Sequence, residues 1–202
     1  EMPRKLEKAR VPGDWRIVLV DPNHALGETF GEDGRSIVGE ALQALGVETR
    51  LNVRVTAVDA DSVTLSSGEI IATQTVVWCA GMRASAVAAT LPVARDRSGR
   101  VGVDPFMRVT GLANVFAAGD VAAALVDGTH DSVMSCQFAR PMGRFAGHNV
   151  VADLFGLPML PLRIDWYVTV LDLGEWGALY TVGWDRKVRA SGAAAKATKQ
   201  II

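Results

Sequence analysis

Asn114-Val115-Phe116-Ala117-Ala118-Gly119-Asp120 is the stretch on which the reading of this chain turns. A short apolar run bounded by turn residues reads as a strand buried on both faces. It delivers a glycine and then an aspartate at its C-terminal end. Open α/β sheets bind ligands outside the carboxyl ends of their strands. Glycine there lets a ligand approach the backbone, and a carboxylate beside it accepts hydrogen bonds from a polyol chain. The same pair also suits a strand followed by a helix N-cap, and the pair alone does not choose between these readings.

Working outward, two more runs share the character of the first. Arg16-Ile17-Val18-Leu19-Val20 leads into Asp21, and Thr75-Val76-Val77-Trp78-Cys79-Ala80 leads into Gly81. Both read as buried strands. Between them, the spacing of Ile37, Val38, Ala41, Leu42 and Leu45 predicts a helix from Ser36 to Leu45. Ser36 caps it and Gly46 closes it, after a glycine-rich acidic loop over 27–34. The alternating runs Val47 to Val58 and Ser62 to Ile71 predict a small antiparallel meander. Residues 92–112 read as a polar connector with a turn at Asp96–Arg100. A long helix is expected from Ser135 to Leu154, with Phe138, Met142, Phe145 and Val150 as its core stripe. Asp165 to Arg189 reads as a hairpin of two strands, followed by an alanine-rich helix from Gly192. Residues 1–10 read as the tail of a helix. Strands alternating with helices give an α/β fold with a mostly parallel sheet.

Composition limits the function classes. The 21 basic and 22 acidic residues nearly cancel, so no basic excess is available to neutralise nucleic-acid phosphates. No apolar run reaches the length that spans a bilayer, and no signal peptide is visible. Cys79 and Cys136 fit no metal knuckle and no CxxC pair, and both read as buried thiols. His24, His130 and His148 are scattered away from any carboxylate pattern, so no metal site is expected. Trp166, Trp176 and Trp184 read as packing residues, and Arg186-Lys187-Val188-Arg189 as a solvated hairpin edge. Both ends read as cut, so the chain is expected to be the C-terminal half of a longer protein.

The segments from Arg100-Val101-Gly102-Val103-Asp104 through Met107-Arg108-Val109-Thr110 to Val115-Phe116-Ala117-Ala118-Gly119-Asp120 resemble the second FAD-binding motif of the pyridine nucleotide-disulfide oxidoreductase superfamily. Val76-Val77-Trp78-Cys79-Ala80-Gly81 resembles the strand between that family's NAD and FAD halves. The resemblance implies partial doubly wound, Rossmann-like nucleotide-binding domains, with the antiparallel meander and a small C-terminal α+β domain. It divides the chain into 1–112 (later part of an NAD(P)H-binding domain), 113–156 (a segment of an FAD-binding domain) and 157–202 (a truncated α+β domain).

Within this frame Asp120 would hold the ribitol of FAD, with Gly119 and Val121 beside it. Ala80 and Gly81 would flank NADH. Asp21 would bind the adenosine ribose and repel a 2′-phosphate, favouring NADH over NADPH. Ser135-Cys136-Gln137-Phe138-Ala139 resembles the helix that points its N-terminus at the flavin, where a helix dipole stabilises negative charge. Type II NADH:quinone oxidoreductases are the closest match. Gln137 fits the first glutamine of their helix pattern, but Pro141 stands where the second, near the quinone, would be. The resemblance thus implies an FAD-dependent NADH dehydrogenase that passes electrons to an acceptor such as quinone. Ferredoxin, sulfide or a disulfide are alternative acceptors, and a non-catalytic domain is the alternative of another class. It admits peripheral membrane contact and a homodimer, with a cytoplasmic location or one on the inner face of a membrane. No G-x-G-x-x-G occurs in the chain, so the pyrophosphate cradles are absent. The chain alone is therefore expected to bind flavin weakly and to be inactive.

Overall fold

The computed structural model describes residues 8–9, 16–79 and 81–199. The helix tail expected over 1–10 lies almost wholly outside them, as does Ala80. Two compact units emerge, one formed by residues up to Val77 with those from Trp166 onward, the other by Trp78–Asp165.

The first unit opens with β1 (Ile17–Asp21), α1 (Gly31–Ala44) and β2 (Val47–Leu51). β1 and β2 pair in parallel, Ile17 opposite Val47 and Asp21 opposite Leu51, and α1 is the crossover that parallel pairing requires. β1 is not buried on both faces as expected, because β2 is its sole strand partner among the described residues and Ile17 remains 38% exposed. α1 starts at Gly31, ahead of the expected Ser36, with Glu32 and Asp33 in its first turn where the helix dipole favours them. Ser36 therefore sits inside the helix, and its hydroxyl donates to Glu40 at 3.2 Å. Gly46 closes the helix as expected, its amide donating to Gln43.

The meander is β3 (Val55–Val58), β4 (Ser62–Leu65) and β5 (Ile70–Ala72), antiparallel throughout. Its first expected segment is split, because Val47–Leu51 went to the parallel pair and Asn52 turns the chain at φ 57°. Val63, Leu65 and Ile71 form a core against which Val18 and Val20 of β1 pack. A buried strand over 75–81 is expected beyond β5, but residues 75–79 form none. Val77 is 73% and Trp78 65% exposed, and no described strand pairs with them. Cys79 and Cys136 are likewise exposed rather than buried.

In the second unit, β6 (Val101–Gly102) and β7 (Ala122–Ala123) pair in parallel. The expected polar connector over 92–112 is in fact core-forming, because its apolar residues alternate inward between tight turns. Val101, Met107 and Val109 are fully buried, and Ala88, Val101 and Val109 make one cluster with Val115, Ala117 and Val121. Asp96 organises the expected turn by accepting the amides of Ser98 and Arg100. The quoted run 114–118 is half-buried and irregular rather than a ladder strand. The amide of Val109 donates to the Val115 carbonyl and that of Ala117 to Met107.

The long helix is α2 (Cys136–Leu154). It buries Phe138, Met142, Ala146, Asn149 and Ala152, a stripe spaced by three and four residues. Val150 falls off that stripe and is exposed. Asn149 fastens the helix to two extended segments. Its Nδ2 donates to the carbonyls of Phe106 and Leu160, and its Oδ1 accepts the amide of Leu160, all within 2.9 Å.

The chain returns to the first unit as three strands rather than a hairpin: β8 (Val168–Asp172), β9 (Ala178–Val182) and β10 (Lys187–Ser191), antiparallel with β9 central. α3 (Gly192–Lys199) follows. At Gly177 a Cβ would meet the Gly192 backbone at 2.3–2.6 Å, so only glycine lets the two segments cross. Leu173 and Leu179 pack with Val38 and Ala41 of α1. Tyr167 and Trp184 stack with ring centroids 4.5 Å apart, whereas Trp166 is exposed and not a packing residue. Arg186 is no solvated edge either. Its guanidinium lies 5.1 Å from the rings of Phe30 and of Tyr167, a favourable cation–π geometry. Among the described residues no helix is long and apolar enough to cross a membrane.

Candidate functional site

Gly119–Asp120–Val121 forms one tight turn of 3-10 geometry at the end of the quoted segment. Gly119 adopts φ 76°, a left-handed conformation that side chains other than glycine rarely take. The turn packs against the first turn of α2, and a Cβ at Gly119 would lie 3.5 Å from Ala139 Cβ. The structure therefore brings together five residues expected to act together: Gly119, Asp120 and Val121 from the turn, Gln137 and Phe138 from the helix start. Phe138 is fully buried and anchors the helix. Gln137 is half-buried, and Asp120 is exposed.

Ser135 precedes α2 in extended geometry, the position of an N-cap, yet its hydroxyl makes no capping bond. The carbonyl of Ser135 accepts the amides of Phe138 and Ala139 instead. Its Oγ is enclosed and has no hydrogen-bond partner. A buried hydroxyl left unpaired costs about 1–3 kcal/mol. Pro141 lies in the second turn of α2 and cannot donate to the Gln137 carbonyl, as a residue with an N–H would.

Gly81, at φ 76°, belongs to the second unit, and its amide donates to Cys79. Asp21 belongs to the first. It ends β1 and its Oδ1 accepts the amide of Asn23 at 2.8 Å, an Asx turn.

Several charged pairs escaped the sequence reading. Asp127 accepts the amides of Thr129 and His130, and lies 2.8 Å from His130 Nδ1. The His130 amide first, then its ring, hold the Asp127 carboxyl well below the usual range. His24 likewise lies 2.6 Å from Glu28, so two of the three histidines do have carboxylate partners. Their spacings, three and four residues, were the signal available. Arg108 bridges to Asp153 of α2 at 2.6 Å and holds that carboxyl low. Among the described residues no group of three or more His, Cys, Asp or Glu side chains could hold a metal ion.

The site offers an exposed carboxylate, a glycine turn and a helix start with an uncommitted hydroxyl. The chain was then compared with known proteins. The sequence profile of the pyridine nucleotide-disulphide oxidoreductase family matches residues 4–143. A NADH dehydrogenase-like protein of Mycobacterium tuberculosis is 57% identical over 205 residues, covering 100% of this chain and 51% of that protein. The type II NADH:quinone oxidoreductase Ndh of the same organism is 37% identical over 116 residues, 54% of this chain and 25% of that protein. Among solved structures, the sulfide:quinone oxidoreductase of Aquifex aeolicus superposes with TM-score 0.68 at 17% identity, over 99% of this chain and 51% of that one. The water-forming NADH oxidase of Lactobacillus brevis gives 0.68 at 20% identity, over 82% and 37%. Both likenesses are of fold. The chain spans about half the length of the mycobacterial relative.

Proposed function

The chain belongs to the pyridine nucleotide-disulphide oxidoreductase family, and from that premise we propose that it carries one wall of the FAD site and part of the NADH site of an NADH dehydrogenase. The observation that carries the reading is the Asp120 turn seated on the start of α2. Flavin supplies the chemistry when bound, taking a hydride from NADH and passing electrons to an acceptor. The chain's own residues hold and tune it. Asp120 accepts hydroxyl hydrogen bonds from the ribitol, and Gly119 takes the left-handed conformation that seats the turn against the start of α2. The start of α2 lends its dipole to negative charge on the reduced ring.

Asp21 binds the adenosine ribose and disfavours NADPH. Gly81 contributes close backbone approach on the NADH side, and Ala80 completes that pair. The segment ancestry follows the same lines, with 1–112 from an NADH-binding domain, 113–156 from an FAD-binding domain and 157–202 from the small α+β domain. Quinone is the acceptor suggested by relatives such as the type II enzymes, with contact to a membrane surface following from that substrate. A second reading, another acceptor such as sulfide, ferredoxin or a disulfide, rests on Pro141, which stands where the quinone-side glutamine is expected.

The experiment joins this chain to the part of the mycobacterial relative that it does not span. The chimera is expected to bind flavin, to oxidise NADH faster than NADPH, and to lose that preference in Asp21→Ala. Equal rates with both nucleotides in the parent chimera would exclude the assigned role of Asp21. Turnover with a soluble quinone but not with sulfide, ferredoxin or a disulfide decides the acceptor.

A further inference from the structure

Arg186 sits in the turn between β9 and β10 at φ 51°, a left-handed conformation that few side chains adopt. The turn is fastened to Tyr167. The amide of Gly183 donates to the Tyr167 carbonyl at 2.8 Å, and Trp184 stacks on its ring. Arg186 itself donates from Nη2 to the Tyr167 hydroxyl at 2.6 Å, with Nη1 3.5 Å from Thr169 Oγ1. So held, its guanidinium faces a second ring, that of Phe30, at 5.1 Å.

Phe30 ends the loop over 22–30 that follows Asp21. Two glycines make room for it. A Cβ at Gly34 would stand 2.5 Å from Phe30 Cβ, and one at Gly27 would stand 3.3 Å from its Cδ2. The Phe30 amide donates to the Gly27 carbonyl and closes the turn Glu28–Phe30. From that turn Glu28 reaches back to His24 Nδ1 at 2.6 Å. Beside His24, the Asn23 amide donates to Asp21 Oδ1 at 2.8 Å, and the Asn23 carbonyl accepts the amide of Asn52 at 3.0 Å. Contacts thus run from Arg186 through Phe30, Glu28 and His24 to the Asp21 carboxylate, all inside the first unit.

We infer that Arg186 is a positioning residue for the dinucleotide: it pins Phe30 and thereby fixes the loop that holds the Asp21 carboxylate in place. This rests on the reading of Asp21 as the ribose-binding group. A loop that must be ordered on binding draws on the free energy of binding, whereas a loop already ordered does not. Arg186 therefore governs how tightly NADH is held and not how fast the hydride leaves it.

The variants are made in the chimera with the part of the mycobacterial relative that this chain does not span. Arg186→Met should raise the KM for NADH about tenfold and leave kcat within about twofold, the signature of lost ground-state binding. Arg186→Lys keeps the cation but loses the flat fork, and should show the same split at about threefold. That variant decides the matter if Arg186→Met does not fold. Lys187→Met, on the neighbouring residue whose ammonium pairs with exposed Asp185, should change neither constant. Asp21→Ala should raise the same KM, and adding Arg186→Met should raise it no further, since the two act through one carboxylate. In the 202-residue chain without nucleotide, Arg186→Met should speed amide exchange at Asn23 and Phe30 and leave β1 and β2 unchanged. Unchanged KM in both Arg186 variants, a fall in kcat in step with the rise in KM, effects that add to those of Asp21→Ala, or unaltered exchange at Asn23 and Phe30 would each overturn the inference. Failure of the underlying reading is distinct: Asp21→Ala alone would then leave KM unchanged, and the inference falls with it.

Discussion

Asn149 shows how much one buried polar residue can carry. It is fully buried, and its amide makes three hydrogen bonds that hold α2 to the segments at Phe106 and Leu160. Asn149→Ala removes all three and strands two carbonyls and an amide. With each stranded group costing about 1 kcal/mol or more, the loss should be about 3 kcal/mol, read as a lower urea midpoint with unchanged slope. Thr181 is the opposite case. It is 1% exposed in β9 and its Oγ1 has no partner. Thr181→Val keeps the shape and removes the orphan hydroxyl, so stability should be unchanged or higher by about 1 kcal/mol. A drop of that size would mean the hydroxyl is bonded in solution.

Between elements, the clearest device is the clamp on α3. Asp172 ends β8, and its carboxylate meets Lys196 Nζ at 2.7 Å, Lys199 Nζ, and the amide of Gly174. Lys196 first, then Lys199 and that amide, hold Asp172 well below its ordinary value of 3.8. A carboxylate depressed in the folded state stabilises it above the unfolded value and loses that contribution as pH falls. The helix should therefore loosen as pH drops below about 4, and Asp172→Asn should show at pH 7 the α3 amide exchange of the parent in acid. Equal exchange in the two proteins at pH 7 would assign the helix's stability to Ala195 packing instead.

Elements are legible in the sequence where periodicity coincides with start and stop residues. α2 and α3 were legible because an apolar stripe or an alanine run began at a small capping residue. The start of α1 was not, because Gly31 and Gly34 read as loop while the acidic first turn favoured helix. The stretch 92–112 hid its core because Val101, Met107 and Val109 reach inward from turns, with no regular period to count. The run 75–81 reads as a strand from its apolar, β-branched residues, and those cannot supply a partner strand. The Gly119–Asp120 turn was legible for a different reason. A glycine followed by an acid at a strand end constrains both backbone and chemistry, whereas the ion pairs of Arg108, Asp127 and Asp172 depend on loops that sequence spacing does not position.

For the whole molecule, a family shared with NADH-linked oxidoreductases meets a chain that supplies only some of the required parts. The second unit holds the Asp120 turn and the start of α2 together, and the glycine-rich cradles lie in neither unit. We propose that this turn holds the polyol arm of a flavin. Bound flavin per chain, measured by visible absorbance after desalting, tests it most directly in the chimera with the mycobacterial remainder and in its Asp120→Ala variant. Losing two hydrogen bonds to a carboxylate at about 1.5 kcal/mol each predicts roughly a hundredfold weaker flavin binding. The melting temperature of the flavin-free protein should stay unchanged, because the Asp120 side chain is exposed. An Asp120→Ala chimera that retains flavin as well as its parent would contradict the account.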